Sequence, residues 1–195
     1  MKNDFDVAAT GARFLAAAVL LGVLAGCASS ARPEAMVLRA EADTRPFPQT
    51  LLHSMCVRTV TGGEETNPLW VSKVDNGGFR SALTSSMDSA QLTAPADGCS
   101  YPVEVNLLGL SQPIMGFDMT VTSHVNYKVY DRAGQPYLLE TVDAPFTAKM
   151  SDAFVAAERL RLANEGSIRT SIEKFFVALR DHNAAANAGG SVAAK

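Results

Sequence analysis

Phe117-Asp-Met-Thr-Val-Thr-Ser-His-Val-Asn-Tyr-Lys-Val-Tyr130 is the stretch on which the fold turns. Phe117, Met119, Val121, Val125, Tyr127 and Val129 fall on one side of a period of two. Asp118, Thr120, Thr122, His124, Asn126 and Lys128 fall on the other. Such alternation marks an antiparallel strand with one face in a core and one in water. Asp131-Arg-Ala-Gly134 supplies a turn, and Tyr137 to Ala148 returns as the partner strand. Pro145, which has no N–H to give a ladder, puts that partner at a sheet edge or a bulge.

Working outward, Val103, Val105 and Leu107 alternate with Glu104 and Asn106, which reads as a half-buried strand. Before it, Asp75-Asn76 can cap a helix on which Phe79, Leu83 and Met87 recur every four residues. Leu51 to Val60 is a shorter β-type run that ends at the turn signal Thr61-Gly62-Gly63. After the hairpin, Phe154, Leu160, Ile168, Ile172, Phe175, Phe176 and Leu179 follow helical spacing from about Asp152 to Asp181. Ser151-Asp152 is its expected N-terminal cap, and Gly166 is a point where it can kink. The order β-α-β-β-β-α, with one apolar face per element, predicts an α+β two-layer sandwich. An antiparallel sheet of about four strands is covered on one face by two helices. Its uncovered face presents the row Thr120, Thr122, His124, Asn126 and Lys128.

The chain has 195 residues, enough for one domain, and 47% of them are hydrophobic against 19% charged. With 17 basic and 20 acidic residues it has no cationic surplus, so nucleic acid is not an expected partner. The first residues serve another purpose. Lys2 and Arg13 precede an apolar run of 13 residues, Phe14 to Gly26, which is too short for a spanning helix of about 20 residues. Residues 1–26 therefore read as a signal peptide. Its end, Leu24-Ala25-Gly26-Cys27, resembles a bacterial lipobox, in which the Cys27 thiol takes a diacylglycerol and becomes the first mature residue. The plainer alternative is cleavage near Ala28-Ser29-Ser30 with no lipid. Under the lipobox reading, acyl chains such as palmitate hold the protein to a membrane, and Ala28 after the cysteine resembles the outer-membrane sorting pattern.

Residues 27–50, with Pro33, Pro46 and Pro48 and no apolar period, read as a flexible lipidated tether, residues 51–182 as the periplasmic domain, and residues 183–195 as a disordered tail. Cys56 and Cys99 would face an oxidising compartment and are expected to form a disulfide, two buried thiols being the other reading.

Chemistry is harder to find. His53, His124 and His182 have no ligand spacing, so neither a metal nor a cofactor is expected. No nucleophile elbow, phosphate loop or dinucleotide fingerprint occurs, and no catalytic residues are assigned. Arg159 and Arg161, on a charged helix stretch, and the open-face row are the candidate partner-binding residues. Trp70 reads as a core plug or an exposed anchor.

The lipobox, Asn67-Pro-Leu-Trp-Val-Ser72, Gly116-Phe-Asp-Met-Thr-Val-Thr122 and Glu158-Arg-Leu-Arg-Leu-Ala-Asn-Glu-Gly166 together resemble a group of small uncharacterised proteobacterial outer-membrane lipoproteins. In architecture the chain is also similar to lipopolysaccharide-assembly lipoproteins and to auxiliary lipoproteins of ABC-type transport. The resemblance implies a non-catalytic accessory, anchored to the outer membrane through Cys27, facing the periplasm and meeting an envelope protein. A small envelope hydrolase or transferase, or a surface-displayed structural lipoprotein, are the alternatives.

Overall fold

A computed structural model describes residues 28–39, 44–67, 71–95 and 97–190, with only the backbone over 183–190. The signal peptide, Cys27, Trp70 and the last five residues lie outside the described residues. In chain order the elements are α1 (Pro33–Met36), β1 (Met55–Thr61), α2 (Asn76–Ser89), β2 (Tyr101–Ser111), β3 (Met119–Tyr130), β4 (Pro136–Ala148) and α3 (Ala156–Gly190). The four strands form one sheet in the order β1-β2-β3-β4, and α2 and α3 lie on one of its faces. The α+β two-layer sandwich is thus the observed fold.

One strand departs from the expected antiparallel sheet. β1 pairs with β2 in parallel, from Met55 opposite Tyr101 to Thr61 opposite Asn106, while the other two pairings are antiparallel. The reason is the long connection. Two strands joined through a packed helix enter the sheet in the same direction, as a β-α-β unit requires. Asp75 begins that helix as expected, its carboxylate accepting from the Gly78 amide at 2.8 Å.

The hairpin is set by its turn. Asp131 Oδ1 accepts from the amides of Ala133 and Gln135, and Gly134 takes φ +75°, a left-handed conformation that costs glycine little. Pro145 sits opposite Thr122 on β4, which is an edge strand. Inside the sandwich, Met119, Val121, Ser123, Val125, Tyr127 and Val129 are all buried. Phe117 is not. Strand pairing starts at Met119, so Phe117 stays in the preceding loop and is exposed rather than sharing the apolar face.

Helix α3 supplies the other half of the core. Its Ile168, Ile172, Phe175, Phe176 and Leu179 are buried, recurring at three- and four-residue steps that keep them on one face. Phe175 stacks on Tyr127 with ring centroids 4.3 Å apart, and the Tyr127 hydroxyl meets Ser171 at 2.9 Å. Burial pushes the Tyr127 phenol above its ordinary pKa, against a smaller opposing effect of the Ser171 hydrogen bond. The helix starts at Ala156, later than predicted, because Asp152 accepts from the Lys149 amide and so closes a turn before it. Gly166 makes no break in it. A β-carbon there would come within 2.2 Å of the Phe146 ring, so glycine is needed for close approach of helix to strand. The backbone stays helical to Gly190, past the predicted end, across an alanine-rich stretch of high helix propensity.

The predicted tether is, over its described residues, a strap on the helical layer. Ala28, Ala31, Met36 and Leu38 are buried, the Leu38 amide donates to Ser86 Oγ at 2.9 Å, and Arg169 donates to the Ala35 carbonyl at 2.6 Å. Further on, Phe47 packs edge-on against Phe176 and lies under the Arg180 guanidinium. These five isolated apolar residues hold it there, and so short a segment carries no period by which they could be recognised.

Candidate functional site

Three surfaces deserve comparison: the open sheet face, the arginines of α3 and the end of the domain where the loops before β3 and α3 meet. The open face is mostly polar, with Leu139 opposite Lys128 and Pro145 opposite Thr122 as its apolar members on β4. Thr120 pairs with Thr147 at 2.8 Å, Asn126 donates to Thr141 at 2.9 Å, and Thr122 and Lys128 line the same row. The predicted row is therefore on one face and open, as strand alternation requires.

His124 stands at the centre of this row. Its Nδ1 lies 2.7 Å from Asp143 Oδ1 on β4, and its Nε2 lies 3.0 Å from Ser111 Oγ at the end of β2. Sequence reading named His124 but missed Ser111 and Asp143, because the three come from three strands and no local motif links them. Strand register alone joins them: His124 lies directly opposite Asp143, and Ser111 pairs with Thr122, two residues from His124 on the same face. The order of groups is that of a nucleophile, a base and an orienting carboxylate. The Asp143 side chain is 69% exposed, and β3 pairs with a neighbour on both sides, so its amides serve the ladder rather than a developing oxyanion. The other histidines are distant. His53 lies in the turn before β1, and the His182 ring packs on Tyr137 with centroids 4.7 Å apart.

Arg159 and Arg161 are not available to a partner. Both residues are 5% exposed. Arg161 lies between Glu158 and Glu165 with hydrogen bonds to both. Burial lowers its tendency to hold a proton, but the Glu158 hydrogen bond and the charges of both carboxylates outweigh that, so its pKa is raised. Glu165 also accepts from Arg32, through the amide at 2.9 Å and Nε at 3.2 Å, which ties the strap to the helix. A dense charge cluster near a helix start reads as a wet face in sequence. Here the strap and the β2–β3 loop cover it.

Arg159 holds the end of the domain together. Its guanidinium donates to the carbonyls of Ala153 and Phe154 in the β4–α3 loop and of Gly116 in the β2–β3 loop. The Met150 amide completes the link by donating to Asp118 Oδ1 at 3.0 Å. Around this clamp, Ile114 is 96% exposed, Met115 82%, Phe117 79% and Phe154 85%. Large apolar groups standing this far into water, side by side on two fixed loops, are unusual for a free surface.

Cys56 and Cys99 form a disulfide with Cα atoms 5.6 Å apart, joining β1 to the segment that enters β2. No described helix is long and apolar enough to cross a membrane.

No family model matches the chain, and no curated protein matches it in sequence. Its fold does have solved counterparts. A Xanthomonas campestris protein of the DUF330 family superposes with a TM-score of 0.58 at 9% identity, over 82% of this chain and 99% of its own. A candidate lipoprotein from Caulobacter crescentus gives 0.43 at 15% identity, over 65% of this chain and 90% of its own. A minor lipoprotein from Acinetobacter baumannii gives 0.38 at 13%, over 70% and 95%. At these identities the first likeness establishes a shared fold and nothing about activity.

Proposed function

We propose that this protein is a non-catalytic envelope lipoprotein, anchored to the outer membrane through acylated Cys27, facing the periplasm and serving as an accessory in outer-membrane assembly or transport. The observation that carries the reading is Leu24-Ala25-Gly26-Cys27 after a 13-residue apolar run, too short to remain as a membrane span. A disulfide in the domain that follows suits the oxidising compartment this address implies. A lipid anchor supplies attachment and leaves the domain to contact an envelope partner, for which the open polar row from Thr120 to Lys128 offers a surface.

The test is direct. Replacing Cys27 by Ser should move the protein from the membrane to the soluble fraction, and the mature wild-type chain should begin with an acylated cysteine by mass spectrometry. An unmodified terminus at any other residue would refute the anchor. The Ser111, His124 and Asp143 trio favours a second reading, a small envelope hydrolase. Labelling of Ser111 by a fluorophosphonate probe would support it and overturn the non-catalytic reading; on an open face without oxyanion donors from β3, no labelling is expected.

A further inference from the structure

The strap runs along α3 in a fixed direction. Arg45 meets Asp181 and gives its carbonyl to Arg180; Ala35 gives its carbonyl to Arg169; Arg32 meets Glu165. As the strap residue number falls from 45 to 32, its helix partner falls from 181 to 165. The chain therefore travels toward the N-terminal end of the helix as it approaches Ala28. From Glu165 to the Arg159 clamp is six residues of helix, about 9 Å at 1.5 Å per residue. The four residues from Arg32 back to Ala28 reach about 13 Å when extended, enough to cover that distance. The next residue is Cys27.

The exposed apolar loops lie at this same end. Ile114, Met115 and Phe117 come from the β2–β3 loop, and Phe154 and Val155 from the β4–α3 loop. We infer that these side chains form a membrane-contact tip that dips into the bilayer to which Cys27 is anchored. The inference rests on the lipoprotein reading for the membrane's identity, and on the exposed loops for the contact itself.

The composition of the tip selects the occupant. Residues 112–118 and 149–155 carry only Asp118, Asp152 and Lys149 as charged groups, so there is no cationic surplus to attract anionic headgroups. Burial of apolar area is then the driving force, and a zwitterionic lipid surface is a sufficient target. The loops arrive ordered. Arg159 fixes three of their carbonyls and Asp118 ties them to each other, so little conformational freedom is lost when the tip inserts. The consequence is an orientation: α3 rises from the membrane with its N-terminal end down, and the open sheet face stands beside it, reachable by a partner in the periplasm.

The experiment uses the full acylated chain in phosphatidylcholine vesicles, with Phe117→Trp and Phe154→Trp as separate probes. The wild-type spectrum, which contains Trp70, is subtracted. Each added indole should shift to the blue and be quenched by lipids brominated on their acyl chains, equally at low and high salt. In detergent-free competition between vesicles, replacing Phe117 and Phe154 together by Ser should increase transfer of the chain by about tenfold or more, as loss of large buried apolar groups requires. Unquenched indoles in a chain whose terminus is acylated would overturn the tip and leave the anchor intact. Quenched indoles in a chain whose terminus carries no lipid would support the tip and overturn the anchor. A dimer in detergent that the paired Ser replacements abolish would assign the patch to a second copy of the chain, and would also overturn the tip.

Discussion

Replacing Glu165 by alanine should lower the unfolding free energy by about 3–5 kcal/mol, the usual cost of removing one partner from a buried ion pair. Its carboxylate is 2% exposed and the facing Arg161 side chain 6%. Three donors converge on Glu165 Oε1: Arg161 Nη1, Arg32 Nε and the Arg32 amide. Alanine would leave the guanidinium buried beside Glu158 alone and release the strap at the point where it crosses the helix. A urea midpoint that falls with an unchanged slope would register the loss. Two controls separate its origins. Glu165→Gln keeps two hydrogen-bonding atoms without the charge and should cost less than alanine. Joint replacement of Glu158, Arg161 and Glu165 by Leu or Met should cost less than Glu165→Ala alone, since no buried charge is then left without a partner. A Glu165→Ala chain as stable as wild type would mean that the cluster is solvated in solution.

The second large effect is expected at the disulfide. Joint replacement of Cys56 and Cys99 by Ser should cost about 4 kcal/mol for a closed loop of this length, in the chain-entropy account. The two residues are 43 apart in sequence, and the loop they close contains the whole of α2. Thermal unfolding of the double variant against the oxidised wild type gives the number, and wild type in reductant should fall to the same stability. Equal melting of oxidised and reduced protein would show that the β1 to β2 pairing holds the crossover without covalent help.

Much of this architecture was legible because period-two and period-four patterns survive wherever a whole element buries one face. Val121, Val125, Tyr127 and Val129 announced β3, and Phe79, Leu83 and Met87 announced α2. Two kinds of feature were not legible. Met36 and Leu38 are buried and Phe47 is partly buried, all from a segment whose one helix is four residues long, so each is a single apolar residue without periodic company. The direction of β1 is the other case, since alternation reads the same forward and backward and only the crossover fixes it. The candidate site divides in the same way. The row from Thr120 to Lys128 followed from strand period, whereas Ser111 and Asp143 joined His124 only through cross-strand register. Arg159 and Arg161 show the limit of charge reading, because a run of ions on a helix looks the same in sequence whether water or two loops lie over it.

The parallel placement of β1 also bears on the order in which the chain assembles. Threading from its N-terminus, the polypeptide would deliver β1 and α2 before the strand they need, because β2 begins only at Tyr101. The β2-β3-β4 meander closes through short turns and forms its own ladder from neighbours in sequence, while β1 must wait for a distant edge. Until residue 111 has emerged, the rim of β1 that β2 will occupy is an unpaired edge, a template to which a strand of another chain can add.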